Sequence, residues 1–179
     1  MSVRLEEDAD REAIRTVHTK SFPTPSEAQL VDALRESGRL WISLVAEEDG
    51  EIVGHVAFSP VSVSGVPQDG GGDGGGGAGR GVGLGPVATL PDYRKRGIAE
   101  ALILAGLARC KQRGHGFVVV LGDPAYYKRF GFEPARKANL SDEYDGGDAF
   151  QVLELKPGAI PPAGGRVQYA PEFTTVGEA

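Results

Sequence analysis

Residues 84–99, LGPVATLPDYRKRGIA, combine a strand-like pattern, a basic turn and the start of a helix. That order of residue types suits an anion. The first turn of a helix leaves backbone N–H groups without intrahelical partners, and the helix dipole places partial positive charge at the same end. Gly97 has no side chain to hold a phosphate away from those groups, while Arg94, Lys95 and Arg96 add charge beside them. Other reactive residue types are sparse. His18, His55 and His115 do not fall at metal-ligand spacing, and the single Cys110 lies within an apolar helical pattern, where packing is its expected role.

The elements that must position this turn can be read from periodicity. A short strand at residues 3–5 precedes a helix at 10–22, with Ile14, Val17 and His18 at helical spacing. Pro23 and Pro25 interrupt it, and Ser26 is the expected N-cap of a second helix at 26–37, closed by Gly38. Residues 40–47 and 52–63 read as strands joined at Glu48-Asp49-Gly50, a hairpin signal.

Between residues 70 and 85, eleven of sixteen are glycine, which predicts a flexible connection with no packed element. A strand at 83–89 follows. Because Pro86 cannot donate to a ladder, this strand must be broken, bulged or unpaired on one side there. The helix at 97–113 is apolar nearly all round and is expected to be deeply packed. Residues 117–121, FVVVL, read as a strand covered on both faces, which completes a βαβ unit. A short helix from Pro124 to Phe130 ends at Gly131, and the remainder, including 150–155, is expected to supply one or two further strands. Residues 167–169 form a candidate edge strand.

Composition excludes some classes. A length of 179 residues suits one domain with a substantial core. A formal net charge of −6 argues against a broad nucleic-acid-binding face, though not against a local basic pocket. One cysteine cannot form an internal disulfide, the acidic start MSVRLEEDAD does not read as a signal peptide, and no apolar segment reaches membrane-spanning length. The expectation is a soluble, cytoplasmic protein with no nucleic-acid, membrane or metal partner.

Two segments resemble a known family. Residues 94–99, RKRGIA, are similar to the acyl-CoA pyrophosphate signature of the GNAT N-acetyltransferases. Residues 122–132, GDPAYYKRFGF, resemble that family's second signature, a short helix with a tyrosine four residues before Gly-Phe. The GDPAYY-x-RFGF form, with LGP opening the preceding strand, is similar to a bacterial subfamily called YhbS-like. The resemblance covers about residues 2–155.

It implies an α/β fold, a single GNAT-like domain over 1–155 whose mixed sheet of about six to seven strands is flanked by about four helices. A Gly-rich loop at 69–83 would lie between strands, and 156–179 would form a Pro/Gly-rich extension. It implies acetyl-CoA as cosubstrate, with pantetheine along Val87, Ala88 and Thr89 and pyrophosphate at Arg94, Lys95, Arg96, Gly97, Ile98 and Ala99. It implies acetyl transfer to a primary amine of a small molecule or peptide. Tyr127 would act as general acid on the departing thiolate. Asp123 and Glu27 are further catalytic candidates, since the strand residues 87–89 offer no carboxylate where many members carry a Glu. An inactive acyl-CoA-binding module is the alternative, and a homodimer stays open.

Overall fold

A computed structural model of the chain describes residues 1–67 and 80–177. The glycine connection expected at 70–85 lies outside the described residues up to position 79. The molecule packs as two compact units: Met1–Ser59 with Gly85–Arg109 and Pro171–Ala179, and Pro60–Leu84 with Cys110–Ala170.

In the first unit, β1 (Ser2–Leu5), β2 (Ile42–Glu48) and most of β3 (Glu51–Val63) form an antiparallel ladder. The β2–β3 hairpin turns at Asp49 and Gly50, both in the left-handed region, at φ 51° and 81°. This is the geometry that the Asp-Gly pair favours. α1 (Arg11–Ser21) and α2 (Ser26–Glu36) place Ile14 and Val31 against Val45 of the sheet. Ser26 is the first helical residue rather than the cap, and Pro25 holds the cap position without a side-chain hydrogen bond. Proline's fixed φ suits this entry, where its missing N–H costs nothing. The strand expected from residue 40 begins instead at Ile42. The amides of Arg39 and Leu40 fold back onto the Leu34 carbonyl, at 2.8 and 2.9 Å, and prolong the helix end.

The long helix α3 (Ile98–Gln112) departs from the expected all-round burial. Ile98, Leu102 and Ile103 are buried, whereas Glu100, Leu104, Ala108 and Lys111 form an exposed stripe at helical spacing. On its packed side, a Cβ at Gly106 would meet the Phe58 ring at 2.2 Å, so the glycine permits this approach of α3 to β3.

The strand β4 (Gly81–Thr89), whose residues up to Leu84 belong to the second unit, begins two residues earlier than its sequence suggests. Its glycines at 81 and 83 are therefore strand, not loop. A Cβ at Gly81 would meet the Phe117 ring at 2.2 Å, so glycine is demanded by close packing. β4 pairs in parallel with β5 (Phe117–Leu121) through Gly81, Val82 and Gly83, and the cis Gly85–Pro86 peptide follows just past that ladder. β5 is flanked on its other edge by β8 (Phe150–Glu154), antiparallel, and β8 by β6 (Glu133–Pro134). The segment after Gly131 holds three strands up to residue 154, because the short β6 and β7 (Leu140–Asp142) lack any long apolar alternation. The strand expected near 167–169 is present as β9 (Gly165–Gln168), but it is not an edge: it pairs with β7 on one side and with the end of β3 on the other. The tail ends in α5 (Glu172–Gly177), within the first unit.

Candidate active site

The basic turn enters α3 with Lys95 and Gly97 both left-handed, at φ 62° and 77°. A turn of this kind rotates successive N–H groups toward one side and makes an anion-binding concavity at the helix start. Among the described residues, nothing beyond the adjoining chain lies within 4 Å of a Cβ built on Gly97, so the space beside the turn is open. Lys95 and Arg96 are exposed, Ile98 is buried and anchors the helix, and Ala99 is partly buried. Arg96 lies over the Tyr93 ring at 5.0 Å and 4.0 Å from Glu48. Arg94 donates instead to the Ser21 carbonyl at 3.1 Å, tying the turn to the end of α1.

The end of β4 is fixed to the same helix. Ser21 Oγ donates to the Thr89 carbonyl at 3.0 Å, and the Leu90 amide donates to the Val53 carbonyl at 2.8 Å. Ala88 is buried and Val87 partly so. Thr89 Oγ1 is buried and has no partner among the described residues, and the same holds for Glu27 Oε2 in the first turn of α2.

In the second unit, Asp123 caps α4 (Pro124–Tyr127), its carboxylate accepting from the Ala125 amide at 2.9 Å. Tyr127 is buried, with ring centroids of Tyr126, Phe132 and Phe130 at 5.1, 5.8 and 6.1 Å. Its phenol is pushed up to about 12, chiefly by burial and then by neighbouring Tyr126. Among the described residues no group of His, Cys, Asp or Glu side chains is arranged to hold a metal ion, and no helix is long and apolar enough to cross a membrane.

A buried polar chain in the first unit was not legible in the sequence. His18 and His55 are both fully buried, His18 Nε2 lies 2.8 Å from His55 Nδ1, and His55 Nε2 lies 2.7 Å from Ser43 Oγ. Ser43 bonds Glu6, whose carboxylate takes Arg35 through both oxygens at 2.8 and 3.1 Å. Arg35 also reaches Asp32 at 2.8 Å, and Asp32 pairs with Arg15. Burial holds the His18 imidazole at about 4 and His55 well below its ordinary value. The residues are 37 apart in sequence, and no motif links two solitary histidines across that distance.

The model of the Acetyltransferase (GNAT) family matches residues 4–132, taking in the turn and Tyr127. The chain belongs to the GNAT acetyltransferase family. It is 39% identical over 175 residues to the uncharacterized N-acetyltransferase YhbS of Escherichia coli K12, covering 97% of this chain and 98% of that protein. The crystal structure of E. coli YhbS in complex with CoA superposes with a TM-score of 0.85 at 38% identity, over 97% of this chain and 91% of that one. A GNAT acetyltransferase from Brucella melitensis, solved with acetyl-CoA, gives 0.76 at 37% identity, over 96% and 97%. The mixed sheet and flanking helices are thus those of a GNAT fold, as the two signatures implied.

Proposed function

We propose that this GNAT protein transfers the acetyl group of acetyl-CoA to a primary amine of a small molecule or peptide by direct attack on the thioester. The observation that carries this reading is the left-handed pair Lys95 and Gly97 at the start of α3, with open space beside Gly97. The two structural relatives crystallised with CoA or acetyl-CoA support the choice of donor.

Arg96, Gly97, Ile98 and Ala99 present their N–H groups to the pyrophosphate, and Lys95 and Arg96 add charge that water does not screen fully at contact. Val87, Ala88 and Thr89 pair with the pantetheine arm, and an amide of Val87 or Ala88 polarises the thioester carbonyl. A fixed donor aimed at a developing oxyanion contributes about 10²–10³ in rate. Attack forms the C–N bond, and collapse of the tetrahedral species breaks the C–S bond. Tyr127 donates its O–H to the departing sulfur. Glu27 accepts the acceptor's ammonium, its unpartnered Oε2 matching a cationic group. Asp123 is already engaged as the α4 cap, so its contribution is to hold the helix that carries Tyr127.

Acetyl-CoA consumption measured across a panel of primary amines tests the reading, with at least one acceptor expected to give saturable turnover. Tight CoA binding with no turnover on any amine would replace it with an acyl-CoA-binding module.

A further inference from the structure

We propose that Gln151 is a positioning residue for acetyl transfer: its buried side-chain amide fixes the turn between β5 and α4 and so holds the Tyr127 hydroxyl in place. The proposal rests on the transferase reading above, in which Tyr127 meets the departing sulfur. It adds to that reading a residue from a different strand.

Gln151 stands out by its polarity. It lies in β8 between Phe150 and Val152 and is 1% exposed. A primary amide taken from water into a core costs free energy unless its polar atoms are bonded. The side-chain nitrogen donates to the Gly122 carbonyl at 3.2 Å and to the Ala149 carbonyl at 3.3 Å. Both partners are carbonyl oxygens, which only accept, so the NH₂ end of the amide is the one that belongs between them. With both hydrogens committed, the amide cannot turn without losing a bond.

Those two carbonyls mark the place where the chain leaves the sheet. The β5–β8 ladder ends at the Leu121–Phe150 pair, and the Gly122 amide adds one bond beyond it, to the Ala149 carbonyl at 3.0 Å. The Gly122 carbonyl belongs to the planar peptide unit that leads into Asp123, so holding this oxygen sets the orientation of that plane. The Asp123 carbonyl, next along the chain, accepts from the amides of Tyr126 and Tyr127, both at 3.0 Å. One hydrogen bond, one peptide plane and one residue therefore connect Gln151 to the backbone of Tyr127.

The tyrosine ring is seated on the same side. Gln151 pairs with Val120, and side chains directly opposite in a ladder share a face, as do residues two apart along a strand. Gly122 thus falls on the face of Gln151, and a Cβ there would collide with the Tyr127 ring. The helix that carries Tyr127 spans only four residues, too few to keep its direction by its own hydrogen bonds. A general acid works only within hydrogen-bond reach, and a misplacement of about 1 Å costs up to about 10² in rate. Gln151 supplies the fixed point that so short a helix lacks.

Steady-state kinetics and CoA titrations on the full chain test this. Gln151→Met keeps the length of the side chain and loses both donors. Gln151→Asn keeps the amide but withdraws it by one methylene, and it serves where Gln151→Met does not fold. Each variant should lose about tenfold in kcat, with CoA affinity and the KM for the amine within about twofold of wild type. In a Tyr127→Phe background the same Gln151 substitution should change kcat by less than about twofold, because no hydroxyl remains to be placed. A loss that persists undiminished beside Tyr127→Phe overturns the proposal, and so does wild-type kcat in either Gln151 variant. Both of those results leave the transferase reading standing. A wild-type protein that binds no CoA overturns that reading and the positioning role with it.

Discussion

Tyr127 combines burial with a phenol raised to about 12, so its O–H stays intact well past neutral pH. A thiol titrates near 8.5, so full proton transfer to a free thiolate would run uphill by roughly 3.5 units, about 5 kcal/mol. The useful contribution is therefore a hydrogen bond that strengthens as negative charge gathers on sulfur. Tyr127→Phe should lower kcat about 10²-fold with CoA affinity unchanged, measured by steady-state kinetics beside a CoA titration. In the wild type no alkaline limb from this group should appear below about pH 11. Wild-type turnover in Tyr127→Phe would leave the tyrosine a packing residue. Tyr127 was legible in the sequence because its spacing to Gly-Phe is local. The His18–His55 contact was not, because tertiary packing of α1 on β3 creates it.

At the scale of elements, α4 is four residues long and relies on its cap. Loss of an aspartate N-cap costs about 1 kcal/mol. Asp123→Ala is expected to lower the unfolding free energy, measured by urea denaturation, by that amount while kcat falls only a few-fold; the reverse pattern, unchanged stability with kcat lost, would make Asp123 catalytic. The strand β4 shows how far element reading extends. Pro86 correctly marked a defect beside the parallel ladder, yet the start of the strand was missed because its glycines read as loop. Only the Phe117 ring, distant in sequence, explains why Gly81 belongs in a strand. The exposed stripe on α3 was hidden for a related reason: Leu104 and Ala108 are apolar, and composition does not say which apolar face remains uncovered.

For the whole molecule, acid should be destabilising well above the carboxylate range. In the unfolded chain a histidine protonates near 6.5, while folded His18 resists until about 4 and His55 lies well below its ordinary value. Unfolded chains thus bind more protons as pH falls below 6.5, and stability declines through the window from there to about 4. The His18 difference of roughly 2.5 units corresponds to about 3 kcal/mol. Asp10, lowered by its bond to Arg4, stabilises above its ordinary 3.8 and gives that up as pH falls further. Urea midpoints at pH 7.5, 5.5 and 4.5 should therefore fall steadily; a flat profile would mean that neither histidine is held neutral by the fold.

The donor half of the function rests on short local signals and was readable early. The acceptor half has no such local signal: residues 87–89 carry no carboxylate, and Glu27 stands alone in the first turn of α2. The donor assignment is accordingly the claim to test first. Titration of CoA into the wild-type protein and Gly97→Glu, followed by calorimetry, places bulk and negative charge where the pyrophosphate should sit. The wild type should bind saturably and the variant at least about 100-fold more weakly; an affinity within about twofold would show that no phosphate is held at this turn.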